Sequence, residues 1–484
     1  MGTSTPRSTS GVLSRVEARS IDYVPLSERR GRLSDQATIW FAGSAQLLSL
    51  ATGAIGIVLG LNLGWTLIAL ALGTLLGTIP VAAHATQGPH LGLPQMIQSR
   101  PQFGRYGALI IWAMAIVVYW GYIVLGGDLL GATAAELAGG ASQPWIVGVC
   151  AVATLLAIFG YHWLHTAQRI ITGILVVAIA VYIAGLLATG SIPATLFDLS
   201  ESFHLGSFLI VVSAATGYQL TWAFFVSDYS RYMPPGTSKP AIIAVTSLGL
   251  FFGLFTFMGV GAVCAALLPA EGIINGLVVT GGYVFPGLGE VMLISGGLGL
   301  LGLMAMCAYG GSLTLITALD SIRNVQPTRT LRITTILLIG VTGTVAAVLI
   351  PDDFINTSFA TVLTVVAYLM GPWTSVNLTD FFVVRRGHYS VAEIFKKHGI
   401  YGLWNWRGMT AYLLTLLLMV PFMHVGSFQG PVAAALGVDI AFFVGIPVGC
   451  VIYWLLCRNQ DTEGELRVIA ESDRDLERIG TPVE

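Results

Sequence analysis

Apolar stretches of about 20 residues recur along the chain, near 35–60, 64–86, 106–132, 144–163, 168–190, 205–227, 241–268, 288–318, 331–350, 358–382, 408–427 and 432–456. At a rise of about 1.5 Å per residue, a helix of roughly 20 such residues crosses the hydrocarbon layer of a bilayer. Inside that layer every backbone N–H and C=O must be bonded within the chain, which leaves helices and closed barrels as the only spanning structures. Stretches of this length predict helices, and the chain therefore predicts an all-α membrane protein with twelve transmembrane helices, here spans 1 to 12. Composition agrees: 55% of the 484 residues are hydrophobic and 10% charged, where soluble chains carry about 25% charged residues.

The basic residues set the orientation. All 23 Lys and Arg residues fall before span 1, between spans 2 and 3 (Arg100, Arg105), after span 4 (Arg169), after span 6 (Arg231, Lys239), after span 8 (Arg323, Arg329, Arg332), after span 10 (Arg385, Arg386, Lys396, Lys397, Arg407) or in the tail (Arg458, Arg467, Arg474, Arg478). If every stretch crosses, these segments share one side, and the loops at 138–143, 190–204 and 351–357 on the other side have none. By the positive-inside rule the basic side is cytoplasmic. The expectation is a multi-pass protein of the cell inner (plasma) membrane with both termini cytoplasmic: a segment 1–34, a twelve-helix domain 35–456 and a tail 457–484. The first 34 residues carry arginines and no apolar core, unlike a secretory signal.

Several functions are excluded. The 23 basic and 25 acidic residues nearly balance and form no basic stripe, so nucleic-acid binding is not expected. Cys150, Cys264, Cys307, Cys450 and Cys457 lie in or beside apolar segments without paired spacing and read as packing residues. No GxSxG, HExxH or P-loop pattern occurs, so neither an enzyme nor an ATP-driven pump is indicated. His162 and His165, at the inner end of span 4, read as a polar helix end facing water rather than half a metal site. No cofactor and no obligate protein partner are expected beyond the lipid bilayer and a small solute.

Most of the 58 glycines need only let helices approach closely. Two places differ. Span 1 reads Ile39-Trp40-Phe41-Ala42-Gly43-Ser44-Ala45-Gln46-Leu47, and span 6 reads Ala214-Ala215-Thr216-Gly217-Tyr218-Gln219-Leu220. Each sets Gly, small or hydroxyl neighbours and Gln in mid-span, at corresponding positions if 35–190 and 205–384 are two halves of a five-plus-five repeat, with 408–456 as two additional helices. Paired interrupted helices free backbone groups to bind substrate and ion, which points to a transporter.

Ionisable groups within spans are costly unless paired or facing a cavity. Asp228, Asp320 and Asp380 lie near the inner face, where Asp228 with Arg231 and Asp380 with Arg385 can form local ion pairs or an inner gate. Asp128 lies deeper and is the candidate proton carrier. Tyr119, Trp120 and Tyr122 fall in mid-span 3, where a flat heterocycle could stack while the amides of Gln46 or Gln219 bond its edge.

Four motifs, in order, resemble the nucleobase:cation symporter-1 family, also called the purine and cytosine permease family: Ile39-Trp40-Phe41-Ala42, Ser99-Arg100-Pro101-Gln102-Phe103-Gly104, Ser227-Asp228-Tyr229-Ser230-Arg231-Tyr232, and Gly371-Pro372 with Thr379-Asp380-Phe381-Phe382-Val383-Val384-Arg385-Arg386. The resemblance covers roughly residues 15–460. It implies a ten-helix inverted repeat of the leucine-transporter type plus two helices, carrying nucleobases, allantoin, hydantoins or vitamins between spans 1, 3, 6 and 8. Carried over by position, the substrate-binding residues are Gln46, Tyr119 or Trp120, Gln219 and Thr314. The family's sodium site maps to the Ala42 and Ala45 carbonyls and, in span 8, to Ala308 and Tyr309, which lack its hydroxyls; a shifted register brings in Ser312 or Thr314. The resemblance thus implies a symporter for cytosine, a purine or allantoin driven by H+ or Na+, the alternative being an amino acid, amine or vitamin on the same fold.

Overall fold

The computed structural model describes residues 17, 19–349, 354–460 and 464–471. Residues 1–16 and 18 of the expected segment 1–34, and the tail beyond 471, lie outside them. Span 1 is a bent pair, Leu33–Ser44 and Leu47–Val58, broken by 64°. Then follow Leu63–His84 (span 2), Ala108–Ala138 (3), Ser142–Phe159 (4), Tyr161–Ala188 (5), Leu205–Ser230 (6), Lys239–Leu267 (7), Leu288–Ile322 (8) and Arg329–Leu349 (9). Among the described residues eight helices are long and apolar enough to cross a membrane, or nine with the bent pair as one span. Phe354–Thr379, Trp406–Phe422 and Ala441–Cys457 stand where spans 10, 11 and 12 were expected.

One boundary moves. The chain turns at Gly160, whose φ of +87° suits a residue without Cβ, so His162 and His165 open span 5 instead of closing span 4. His162 is exposed as expected, whereas His165 is buried and packs on the Tyr161 ring at 4.2 Å. A water-facing pair is therefore not what forms.

The helix neighbours have the symmetry of a two-fold repeat. The first half of span 1 packs on span 7 as span 6 packs on span 2, and span 3 packs on spans 8, 4 and 9 as span 8 packs on spans 3, 9 and 4. The tight crossings are built alike. Gly249, Gly253 and Gly261 of span 7 lie against the carbonyls of Ala37, Phe41 and Leu50, while Gly73 and Gly77 of span 2 lie against those of Val212 and Thr216. A methyl at any of these glycines would meet backbone, and helices in lipid associate through such close packing.

Span 6 is central, with 83% of its most apolar window buried against 22% for span 4. Around it, Glu17 and Ser20, the segments after spans 2 and 6 that hold Arg100, Arg105 and Arg231, the first turn of span 9 with Arg332, and the span 10 exit with Arg385 gather on one face. This basic face is where the charge pattern placed them.

Candidate substrate and coupling-ion site

The site begins at the break in span 1. The first helix ends at Ser44, and Gln46 runs extended at φ −151° and ψ 162° before the second helix starts. Gln46 caps that helix: its side-chain carbonyl accepts from the Leu48 N–H at 2.7 Å, and its backbone carbonyl accepts from the Ser49 hydroxyl at 2.6 Å. A polar side chain doing this work is what allows a helix to restart in hydrocarbon. The amide Nε2 then donates across to the Tyr218 hydroxyl of span 6. All of Gln46 is buried.

Span 6 is not broken where its Gly217 and Gln219 suggested. It tightens one turn later into a 3-10 segment, Thr221–Phe225, and span 3 holds that turn. Tyr119 donates its hydroxyl to the Phe224 carbonyl at 3.0 Å, and the Tyr122 and Thr221 hydroxyls are 2.8 Å apart. The turn presents Trp222 and Phe225 inward. Trp222 stacks on Tyr122 at 5.8 Å and 17°, Phe225 stacks on Trp40 at 6.3 Å and 11°, and Tyr119 leans on Phe225 at 5.0 Å. The result is a cluster of ring faces with a polar edge at Gln46 and Tyr218. Trp222 Nε1 is buried and among the described residues has no hydrogen-bond partner, leaving a donor free for a ligand in a place where an unmade bond is costly.

Other sequence candidates lie elsewhere. Gln219 turns to span 2, donating to Thr78 at 2.9 Å, with its carbonyl oxygen buried and unpartnered. Trp120 is half-buried beside Gly343 of span 9. Thr314 is buried beside Tyr119. Asp128 is half-buried, about two and a half turns beyond Tyr119 along span 3.

The carbonyls of Ala42 and Ala45 face span 8 at Gly299, where an added Cβ would meet both. One turn on, Gly302 faces the amide of Gln168 in span 5, which donates to the Met306 sulfur at 3.1 Å. Ser312 is turned away to Thr335 of span 9 at 2.6 Å. Span 8 thus brings no hydroxyl to the two carbonyls, and the sodium ligand set implied by the resemblance is not assembled from these residues. The Gln168 carbonyl oxygen, buried and unpartnered, is the side-chain oxygen that faces this stretch of span 8.

At the basic face the four expected gate residues form two separate groups. Asp380 pairs with Arg385 at 2.5 Å and accepts from Gln102, Tyr389 and Tyr453 at 2.7, 2.8 and 2.9 Å, while Arg385 continues to Glu465. This group ties span 10 to span 12 and the tail. Asp228 does not pair with Arg231; its Oδ1 accepts from the Gln95 backbone N–H at 2.7 Å. Arg231 instead meets Glu17 at 3.3 Å and the Tyr309 hydroxyl at 2.9 Å, and Arg332 meets Glu17 at 3.4 Å. Burial pushes the Glu17 carboxyl up, but the two guanidiniums and the Tyr232 hydroxyl outweigh it and hold the group below the ordinary glutamate value.

Residues 23–445 match the family model described as permease for cytosine/purines, uracil, thiamine, allantoin. The chain belongs to this family. The permease is 33% identical over 446 residues to YxlA of Bacillus subtilis (strain 168), a protein named as a purine-cytosine permease, covering 92% of this chain and 96% of that one. It is 30% identical over 261 residues, 51% of its length and 48% of the other's, to the purine-cytosine permease FCY22 of Saccharomyces cerevisiae. Its fold matches that of Mhp1, a nucleobase-cation-symport-1 family transporter in a closed conformation with bromovinylhydantoin bound, at a TM-score of 0.75 and 17% identity over 95% of this chain and 98% of that one. It is a membrane permease and not an enzyme.

Sequence reasoning did not single out Trp222, Phe225, Gln168 or Glu17 of the permease. Gln168 carried little signal, because it stands beside Arg169 at the edge of the expected span 168–190 and reads as part of a polar helix end. The aromatics carried none, because Trp and Phe in lipid-facing and site-facing positions read alike.

Proposed function

We propose that the permease is a secondary active transporter that imports a nucleobase or related heterocycle, such as cytosine, a purine or allantoin, by cation symport and alternating access. The observation that carries this reading is the aromatic cluster of Trp40, Tyr119, Tyr122, Trp222 and Phe225, edged by the Gln46 amide, the Tyr218 hydroxyl and the unpaired Trp222 N–H. Ring faces suit a planar ligand, and a few fixed donors and acceptors suit its edge. The names of the relatives support the substrate class. The basic face is cytoplasmic and the membrane is the plasma membrane in this reading, with 35–190 and 205–384 as the repeat halves and 408–456 as the added pair. H+ or Na+ supplies the drive: one charge moving down 100 mV gives roughly 2.3 kcal/mol, enough for about a 50-fold gradient.

In the closed arrangement substrate displaces Tyr218 from the Gln46 amide, stacks among the rings and engages Trp222. Tryptophan fluorescence of the purified permease tests this, because Trp40 and Trp222 line the cluster. Quenching by cytosine, adenine, hypoxanthine, uracil or allantoin, competed by one another and not by amino acids, is expected. Competition by amino acids or amines and by none of these heterocycles overturns the substrate class.

A further inference from the structure

Five carboxylates with little or no exposure lie toward the basic face. Four are paired: Glu17 with Arg231 and Arg332, Asp320 with Arg100, Asp380 with Arg385, and Glu393 with Lys396. Asp228 is 1% exposed and, among the described residues, has no ion pair. Its Oδ2 stands beside Gly310 of span 8, where an added Cβ would lie 3.3 Å from the carboxyl and 3.0 Å from the Tyr119 ring. The missing side chain at Gly310 therefore lets this carboxyl sit next to the ring that leans on Phe225 in the substrate cluster.

The surroundings of Asp228 are neutral and polar. Gln95 gives it a backbone N–H, accepts from the Ser227 N–H at 3.1 Å and donates to Gln87 at 2.7 Å, which donates to Asn377 at 2.6 Å. Titratable and charged neighbours come from each packed element: His84 from span 2, Tyr119 from span 3, Cys307 and Tyr309 from span 8, Tyr229 and Arg231 on its own segment, Glu17 from the N-terminal segment. His90, on the short helix beside it, is engaged with the Gly387 carbonyl at 2.5 Å, and His165 faces Tyr229 from span 5. Among the described residues the cation nearest Asp228 in effect is Arg231, and Glu17, Tyr309 and the Ser20 carbonyl hold its guanidinium. An ionised carboxylate left buried without a cation costs several kcal/mol, whereas the neutral acid does not.

We propose that Asp228 is the proton-binding site through which this permease couples transport to a proton gradient. The inference rests on the transport reading above and narrows its coupling ion, in keeping with the absence of span 8 hydroxyls at the Ala42 and Ala45 carbonyls. A hydronium ion from the outer side gives its proton to the Asp228 carboxylate, forming the O–H bond of the acid and leaving water. With the charge gone, substrate and span 8 close over Tyr119. When the basic face opens, Glu17 leaves Arg231, the guanidinium turns to Asp228, and the O–H bond breaks to return the proton to cytoplasmic water. One proton moves per substrate.

Two measurements test it. In the purified permease, nucleobase affinity should rise about tenfold for each unit of pH lowered above the Asp228 titration; Asp228→Asn should flatten this to under about twofold, while Asp228→Glu, His84→Gln and His165→Gln retain it. An undiminished slope in Asp228→Asn, or a wild type whose affinity follows sodium and ignores pH, overturns the proposal and leaves the transport reading standing. Infrared difference spectroscopy needs no substrate: wild type at neutral pH should show the carbonyl stretch of a protonated acid that Asp228→Asn lacks. If that band is absent from wild type, Asp228 is ionised and the proposal fails whatever the permease carries; if it is present but no nucleobase binds, the substrate reading fails instead. Should Asp228→Asn not fold, a shifted acid band in Asp228→Glu makes the assignment, and an unshifted one overturns it.

Discussion

The Gln46 amide donates to the Tyr218 hydroxyl, joining the break in span 1 to the turn that precedes the 3-10 segment of span 6. Neither residue is exposed, and each belongs to an irregular part of a central helix. This bond ties spans 1 and 6 at the edge of the aromatic cluster, so a ligand that takes up the Gln46 amide also loosens that tie.

Replacing Gln46 with Ala should abolish uptake while leaving membrane abundance intact. Tyr218→Phe, which keeps the ring and loses the hydroxyl, should change substrate affinity by about two- to tenfold, the range for one net hydrogen bond of about 0.5–1.5 kcal/mol. Uptake kinetics normalised to surface protein measure both; unchanged uptake by Gln46→Ala would remove the assigned pocket.

Trp222→Phe removes the unpaired N–H with little change in stacking. It should weaken binding by about two- to tenfold for heterocycles that offer an edge acceptor, read by equilibrium binding of the labelled heterocycle to the purified variant. Equal affinities for wild type and variant would mean the N–H faces no ligand.

How far the sequence anticipated this arrangement depends on how distinct each residue was from its surroundings. The spans were legible because hydrocarbon thickness imposes their length and basic residues mark one side. Gln46 was legible as a polar group in mid-span with Gly43 and Ser44 beside it. Span 8 was not legible in register: its glycine-rich run Ser295–Ser312 offers no landmark, and the helix meets Ala42 and Ala45 at Gly299, well before the 308–314 stretch considered from sequence. Glu17 was hidden for another reason. Its partners Arg231 and Arg332 lie more than 200 residues away, and a polar stretch before the first span reads as solvated until the fold brings it over the basic face.

Glu17→Gln should loosen the basic face, since it leaves Arg231 and Arg332 buried without their carboxylate. A reporter cysteine at buried Ser20 should then react with a membrane-impermeant thiol reagent applied from that face about tenfold faster than in the Glu17 background. An unchanged rate would show that this contact does not hold the face closed.

The same contact has a defined acid limit. The carboxyl of Glu17 is held below its ordinary value, so its stabilisation is fully present above the unfolded value of about 4.3 and is lost as pH falls through the lower folded value. The Ser20→Cys rate, divided by that of a free thiol at the same pH to remove the thiolate dependence, should therefore stay flat from about pH 8 to pH 5 and rise only below about pH 4. A rise centred near pH 6 would assign the opening to another group.

Asp320 binds Arg100 at 2.7 Å and Arg105 at 3.3 Å, joining the loop after span 2 to the end of span 8. Asp320→Ala strands two buried guanidiniums and should cost about 3–5 kcal/mol, seen as a large drop in the thermal midpoint in detergent. A midpoint within a degree or two of wild type would mean the pair is solvated in the folded protein.

The most direct measurement of the central claim is accumulation of labelled cytosine, adenine, hypoxanthine, uracil and allantoin into proteoliposomes under an imposed proton gradient and, separately, a sodium gradient. Uptake of at least one heterocycle above its outside concentration, driven by one of the two gradients and lost in Gln46→Ala, is the predicted result. Folded, correctly inserted protein that accumulates none of them under either gradient would contradict it.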